Sequence, residues 1–276
     1  MAMSIRTNIS SLNAQRNLYS TQTSMDSSLS RLSSGFRITK AGDDAAGLGI
    51  SSKLESQIRS YSQAVRNAND GISVIQSTEA ALNEQANVLT RLRELAMQSA
   101  SDGVGNSERA YIQKESTALV AELERISQVA EYNGTKLLNG INATLDFQVG
   151  IYSTTNDAIT FNTLNATTGA SGLNVSGMSL AAKASALASL ASLDAALAVV
   201  SDARATLGAN GNRFQSAVAN IQSFSESLSA ANSRIKDVDV AEETSRMSRS
   251  QILLQAGVSV LSQANQMPQM ALKLLG

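Results

Sequence analysis

Between Leu54 and Ala96, apolar side chains recur at alternating steps of four and three. The series runs Leu54, Ile58, Tyr61, Val65, Ala68, Ile72 and Ile75, resumes at Leu82, Ala86 and Leu89, and passes Arg93 to reach Ala96. A mean spacing near 3.5 residues places these side chains in one stripe along a helix, the pattern of a coiled-coil seam. The stretch has no Pro and one Gly, Gly71, while Asn, Gln, Ser and Arg occupy its other faces. At about 1.5 Å per residue the helix is ~60 Å long, more than a small globule can cover. Each large apolar side chain on the seam gains roughly 1.5–3 kcal/mol on burial. The pattern therefore predicts long partner helices.

The flanking sequence supplies them. Ile5, Ile9, Leu12, Leu18, Met25, Leu29 and Leu32 form a stripe whose register slips between Leu12 and Leu18. Around it stand Asn8, Ser10, Ser11, Asn13, Gln15 and Asn17. Two readings stay open: a bundle helix with a solvated Ser/Asn face, or a helix buried among copies of itself. From Ser33 to Ile50 the sequence loosens into a connector marked by Gly35 and Gly42, with Asp43 or Asp44 as N-cap of the long helix. With no Gly-Lys-[Ser/Thr] and no preceding strand, this Gly-rich run does not read as a phosphate loop. The seam closes near Ala100 at Ser101-Asp-Gly-Val-Gly-Asn-Ser107. Ser107 is the expected cap of a second helix striped by Ile112, Leu119, Leu123, Ile126 and Ala130, giving an αα-hairpin. Arg91, Arg93 and Glu94 near its tip read as solvated positions.

Turn dipeptides in residues 131–140 end the helical period. Leu145, Phe147, Val149 and Ile151 then alternate, followed by Ile159 and Phe161. These predict one or two short hairpins up to about Gly177, with a linker as the alternative. From Leu180 the four-three rhythm returns through Leu190, Leu193, Leu197, Val200, Leu207, Phe214, Val218, Ile221, Leu228 and Ile235. Gly208 and Gly211 conflict with it, since each costs about 1 kcal/mol in a helix. The stripe on both sides predicts one continuous helix with a weak point. Asp237 to Glu242 reads as a joint with another N-cap. The last helix repeats Leu253, Val260, Met267 and Leu274 at steps of seven, with Leu254, Val258 and Leu261 beside them and Pro268 as an expected kink or fraying point. From Ser250 onward Lys273 is the only charged side chain, so such a helix alone is marginal in water and sticky. The fold class is mainly α: an elongated coiled-coil helical bundle with a small β-hairpin region.

Composition narrows the function. Of 276 residues, 43% are hydrophobic but only 4% aromatic, so the core is thin and fits long bundles. A net charge of −1 with interspersed signs gives no nucleic-acid footprint. No stretch is expected to reach the roughly 20 apolar residues of a membrane span. Cys and His are both zero, which removes thiolate and imidazole metal ligands, disulfides and His-based catalysis. No catalytic, cofactor or metal site and no small-molecule substrate is expected; an enzyme using Asp/Glu or Ser is the rival from another class. The start, Met1-Ala-Met-Ser-Ile-Arg-Thr, carries no apolar core of a Sec signal. That fits a cytoplasmic coiled-coil scaffold, or a protein exported by another route.

Several segments then carry a resemblance. On the N-terminal side they are Leu32-Ser-Ser-Gly-Phe-Arg-Ile, Asp43-Asp-Ala-Ala-Gly, Arg66-Asn-Ala-Asn-Asp-Gly-Ile-Ser and Leu92-Arg-Glu-Leu-Ala-Met-Gln-Ser-Ala100. On the other side they are Asn212-Arg-Phe, Met247-Ser-Arg-Ser-Gln-Ile-Leu, Gln255-Ala-Gly-Val-Ser-Val-Leu and Gln263-Ala-Asn-Gln-Met-Pro-Gln. In this order they resemble bacterial flagellin over essentially the whole chain. The resemblance implies an inner coiled-coil domain from residues 1–34 and 236–276, with a linker at 35–42. It implies an outer helical domain from 43–138 and 180–235, and a β-hairpin region at 139–179 too short for an inserted outer domain. It implies a secreted, extracellular structural subunit that polymerises into the bacterial flagellum filament for motility and leaves through the flagellar type III apparatus. The hook–filament junction protein is the alternative within this class.

The expected polymerisation interface is Ile5, Ile9, Leu12, Leu18, Leu29 and Leu32, with Leu253, Leu254, Val258, Val260, Leu261, Met267 and Leu274. Besides copies of itself, the implied partners are the secretion chaperone, on Ile252, Leu253, Val258, Leu261 and Met267, and the hook-associated and cap proteins. An animal partner, Toll-like receptor five, is implied at Arg91, Leu95 and Glu115. Arg91 and Leu95 stand at i and i+4 and are expected to share a face.

Overall fold

The computed structural model describes residues 7–141 and 144–275, with the side chains of the last helix described through Gln266. Its helices are α1 (Ile9–Ser34), α2 (Ala45–Ala100), α3 (Asn106–Val129), α4 (Lys183–Lys236) and α5 (Val240–Leu275). Its strands are β1 (Glu131–Tyr132), β2 (Thr135–Lys136), β3 (Thr144–Gln148) and β4 (Ala158–Asn162). The chain divides into two units, one of residues 1–58 with 226–276 and one of Arg59–Ser225.

In the unit Arg59–Ser225 the core lies along α2. Ala68, Ile75, Leu82, Leu89 and Ala96 are buried there at steps of seven, as the seam predicts. The second buried row is not the expected one. Tyr61, Val65, Ile72 and Ala86 are half-buried and Arg93 is exposed; the buried positions are Ala64, Gly71, Thr78, Gln85, Leu92 and Ser99. This row is mostly small or polar because it meets neighbouring backbone and one large ring. Gln85 donates from Nε2 to the carbonyls of Leu123 (3.4 Å) and Ala166 (3.2 Å), and Ser99 donates to that of Leu180 (2.6 Å). At Gly71 the ring of Phe214 from α4 lies where a side chain would begin. Phe147 on β3 meets Phe214 edge-on, with ring centroids 5.6 Å apart.

The turn after α2 is closed by Arg109, which is buried and donates to the carbonyls of Ser99 (2.9 Å) and Ser101 (2.9 Å). The Ser99 carbonyl, in the last turn of α2, is a helix-end acceptor that needs a partner. The following helix starts at Asn106, one residue before the expected cap Ser107, and Gly105 at its N-cap supplies no side-chain bond. Strands β3 and β4 form the expected hairpin, antiparallel from Thr144–Asn162 to Gln148–Ala158. A second, two-residue hairpin, β1–β2, stands where the turn dipeptides end α3; positive-φ Asn133 and Gly134 make its corner. Residues 163–182 form no second hairpin. They pass over the core as an irregular segment that buries Ala166, Leu173, Val175 and Leu180.

Helix α4 is continuous through Gly208 and Gly211. It is also long and apolar enough, by length and composition, to cross a membrane, which corrects the expectation that no segment reaches that limit. Its Ala-rich turns raise hydropathy without adding bulk. What α4 does in this unit is bury one stripe, Ala186, Leu193, Ala196, Val200, Leu207, Phe214 and Ile221.

In the other unit, α1 and α5 lie antiparallel. Asn8 caps α1 by accepting from Ser11 N (3.1 Å) and donates across to the carbonyl of Ala264 (2.8 Å). At the far end of α1, Arg31 stands 4.0 Å from Glu243 near the start of α5. The joint is a backbone clasp: Arg37 N donates to the Lys236 carbonyl (2.7 Å) and Val238 N to that of Gly35 (3.0 Å). Gly35 closes α1 at φ 76°, a conformation that suits glycine. Asp44, not Asp43, caps α2, accepting from Gly47 N (2.8 Å). Asp43 instead gathers the amides of Thr39 and Lys40 and the Thr39 hydroxyl. The Thr39 amide first, with the other donors and Arg31, holds its carboxyl below the usual carboxylate value.

Candidate assembly surface

The α1–α5 pair inverts the normal use of side chains. What it buries is polar: Ser11, Ser28 and Glu243. Among the described residues of this unit, Ile38 in the joint is the only buried hydrophobic. Ser11 donates to Asn265 Oδ1 (2.8 Å), a side-chain bond between the two helices. Leu18 lies over Gly257, where a Cβ would meet its Cδ1 at 3.5 Å. Small and polar residues thus make up the fully buried positions between the helices, with Leu18 half-buried among them, and many of the large apolar residues stay open to solvent.

Ile9 is 64% exposed and Ile252 65%; Leu12, Leu29, Leu253, Val258 and Val260 are exposed as well. Leu18, Leu32, Leu254 and Leu261 are half-buried. Ile5 lies outside the described residues, as do the side chains of Met267 and Leu274. Clustered apolar exposure of this kind marks an interaction surface, since isolated soluble chains rarely leave such patches open.

The match to known families follows the same elements. The description "Bacterial flagellin N-terminal helical region" fits residues 5–143, and "Bacterial flagellin C-terminal helical region" fits residues 190–275. The chain belongs to the bacterial flagellin family. It is 40% identical to a flagellin of Halalkalibacterium halodurans over 273 residues, covering 99% of this chain and 100% of that one. It is 34% identical to polar flagellin A of Vibrio parahaemolyticus, covering 100% of both chains in an alignment of 376 positions. The crystal structure of Bacillus cereus flagellin aligns at a TM-score of 0.49 with 25% identity, over 56% of this chain and 88% of that one. Flagellins are structural subunits of the flagellar filament, and this one carries no group of His, Cys, Asp or Glu able to hold a metal ion among its described residues.

A second cluster of this flagellin lies on the αα-hairpin. Arg91 donates from Nε (3.0 Å) and Nη2 (2.8 Å) to Glu115 Oε1, and from Nη1 to Glu94 (3.0 Å). Those bonds, Glu115 first, raise the Arg91 pKa further. Both Arg91 and Glu115 are open to solvent. Leu95 is not: at 1% exposure it belongs to the core, so of this i, i+4 pair only Arg91 is open to a partner. On a helix packed along two sides, a separation of four residues is enough to cross from the solvated edge into the seam. The neighbouring Arg93 is likewise engaged, donating to Asp194 on α4 (2.7 Å).

Proposed function

We propose that this chain self-assembles as a structural subunit of an extracellular flagellar filament, through exposed apolar side chains of α1 and α5, after export by the flagellar type III apparatus. One observation carries the reading: an antiparallel helix pair that buries serines and exposes Ile9, Leu12, Leu29, Ile252, Leu253 and Val258. Residues 1–34 and 236–276 act as the inner domain, and 43–138 with 180–235 as the outer one. Before export a secretion chaperone covers Ile252, Leu253, Val258 and Leu261, apolar side chains suited to a hydrophobic groove, with Met267 following them in sequence. Chaperone and filament then compete for one surface. Hook-associated and cap proteins contact the ends of the polymer. Toll-like receptor five reads the free subunit at Arg91 and Glu115, with Leu95 holding that helix in place from beneath.

Sedimentation and negative-stain microscopy of the purified chain test the filament. Long filaments are expected from the full chain and none after deletion of Ser250 to Gly276. Rings without filaments from the full chain would favour a hook–filament junction protein instead.

A further inference from the structure

Between α1 and α5, a groove of about 570 Å³ is lined by Arg31, Arg246 and Arg249 with a single carboxylate, Glu243, and by hydroxyl residues that include Ser27 and Ser28. Asp43 and Glu242 pair with Arg31 and Arg246 from outside this lining, so the guanidinium left without an ionic partner among the described residues is Arg249. The donors are also underused. Arg31 makes only loose ion pairs, 3.7 Å to Asp43 and 4.0 Å to Glu243, and its Nε is buried without a hydrogen-bond partner. Arg246 spends one nitrogen on Glu242 (2.6 Å). Arg249 is exposed and makes no hydrogen bond or ion pair among the described residues. A guanidinium presents five N–H donors in a fixed fork, and leaving them unpaired in a partly buried place is costly.

We infer that this groove receives a carboxylate side chain from a second copy of the chain during assembly. It supplies a directional, charge-assisted contact beside the non-directional apolar faces of the same two helices. The chain carries the complementary groups: Asp70, Asp146, Asp202 and Glu226 are exposed carboxylates with no hydrogen bond or ion pair among the described residues. The apolar faces alone tolerate sliding along the helices, whereas a forked contact at Arg31 and Arg249 fixes one register. The inference rests on the filament reading and adds the groups that set the fit between copies.

Arg31 also holds Asp43 and Glu243, so the test falls on Arg249, which holds nothing among the described residues. The critical concentration for assembly of the full chain is measured by sedimentation at about 50 mM and about 500 mM NaCl, where the Debye length falls well below 10 Å. Arg249→Gln is expected to raise it about tenfold at low salt and to converge on wild type at high salt, while Arg249→Lys stays close to wild type at both. An Arg249→Gln value equal to wild type at low salt, or raised equally at both salts, overturns the inference and leaves the filament reading standing. Failure of the wild-type chain to sediment as filaments at either salt overturns both.

Discussion

A Cβ placed on Gly71 would lie 2.7 Å from Cζ of Phe214, so these two residues fit only because one has no side chain. The contact joins α2 to α4 in the unit Arg59–Ser225, with Phe147 packed 3.3 Å from the same point. Adding a methyl there gains helix propensity of up to about 1 kcal/mol. It also overpacks a full core, at a cost of about 1–3 kcal/mol. The ring is fully buried and has no free direction to move. Gly71→Ala is therefore expected to lower the urea midpoint of this unit.

Gly208 gives the opposite sign. Nothing lies within 4 Å of a Cβ built there, and the backbone is helical. Gly208→Ala removes freedom from the unfolded chain without a clash and is expected to stabilise by about 1 kcal/mol. The same denaturation series measures both variants. A rise for Gly71→Ala or a fall for Gly208→Ala would contradict this packing.

Much of this architecture is written in the apolar pattern. The long helices, the αα-hairpin, the β3–β4 hairpin and the continuity of α4 all follow from spacing that persists over many turns. What spacing misses has a physical cause in each case. The second row of the α2 seam includes Gly71, Thr78, Gln85 and Ser99, which hydrophobicity ranks as surface. Gly71 admits a ring, Gln85 and Ser99 reach carbonyls of other segments, and Thr78 bonds back to Val74 of its own helix. Residues 163–182 pack through scattered single side chains with no period to detect. Leu95 reads as a neighbour of Arg91 because sequence distance gives angle on a helix, not which arc is covered. The assembly surface is legible as charge-poor, apolar ends. The arginine groove is not, because its members come from both ends of the chain.

Glu124 ties the irregular segment to α3. Its Oε2 accepts from the amide and hydroxyl of Thr168, each at 2.8 Å, and its Oε1 from Gln128 (3.0 Å). The Thr168 amide first, then Gln128 and the Thr168 hydroxyl, lower its pKa. A lowered folded value means the stabilisation is fully present above the unfolded pKa of about 4.3 and is lost as pH falls through the lower folded one. Exchange of the Thr168 amide should accelerate, relative to its intrinsic rate, only as pH falls below the ordinary carboxylate range. Glu124→Ala removes the acceptor and should leave that amide exposed at pH 7 with no acid step. A protected Thr168 amide in Glu124→Ala at neutral pH would show that the carboxylate does not hold the segment.

The proposed receptor contact is best probed at the exposed ion pair. Arg91→Ala in the monomer is expected to weaken binding to soluble Toll-like receptor five tenfold or more, about 1.4 kcal/mol. Leu95→Ala is a poor probe, because truncating a buried Leu costs about 2–5 kcal/mol of stability. Glu115→Gln tests the same patch without a cavity. Titration by calorimetry gives the affinities, and wild-type values for both Arg91→Ala and Glu115→Gln would remove this patch from the receptor contact.

Amide hydrogen exchange on monomer and on sedimented filament compares the α1–α5 surface with the core of the same molecule. With Ile38 as the one buried hydrophobic described in their unit, α1 and α5 have little to hold them in a monomer, whereas α2 has a packed seam. Residues 9–34 and 240–266 are expected to exchange rapidly in the monomer and to gain at least a hundredfold protection in the filament, about 2.7 kcal/mol. Amides around Leu82, Leu89 and Leu92 should be slow in both. Strong protection of α1 and α5 already present in the monomer, and unchanged in the filament, would contradict assembly through these faces.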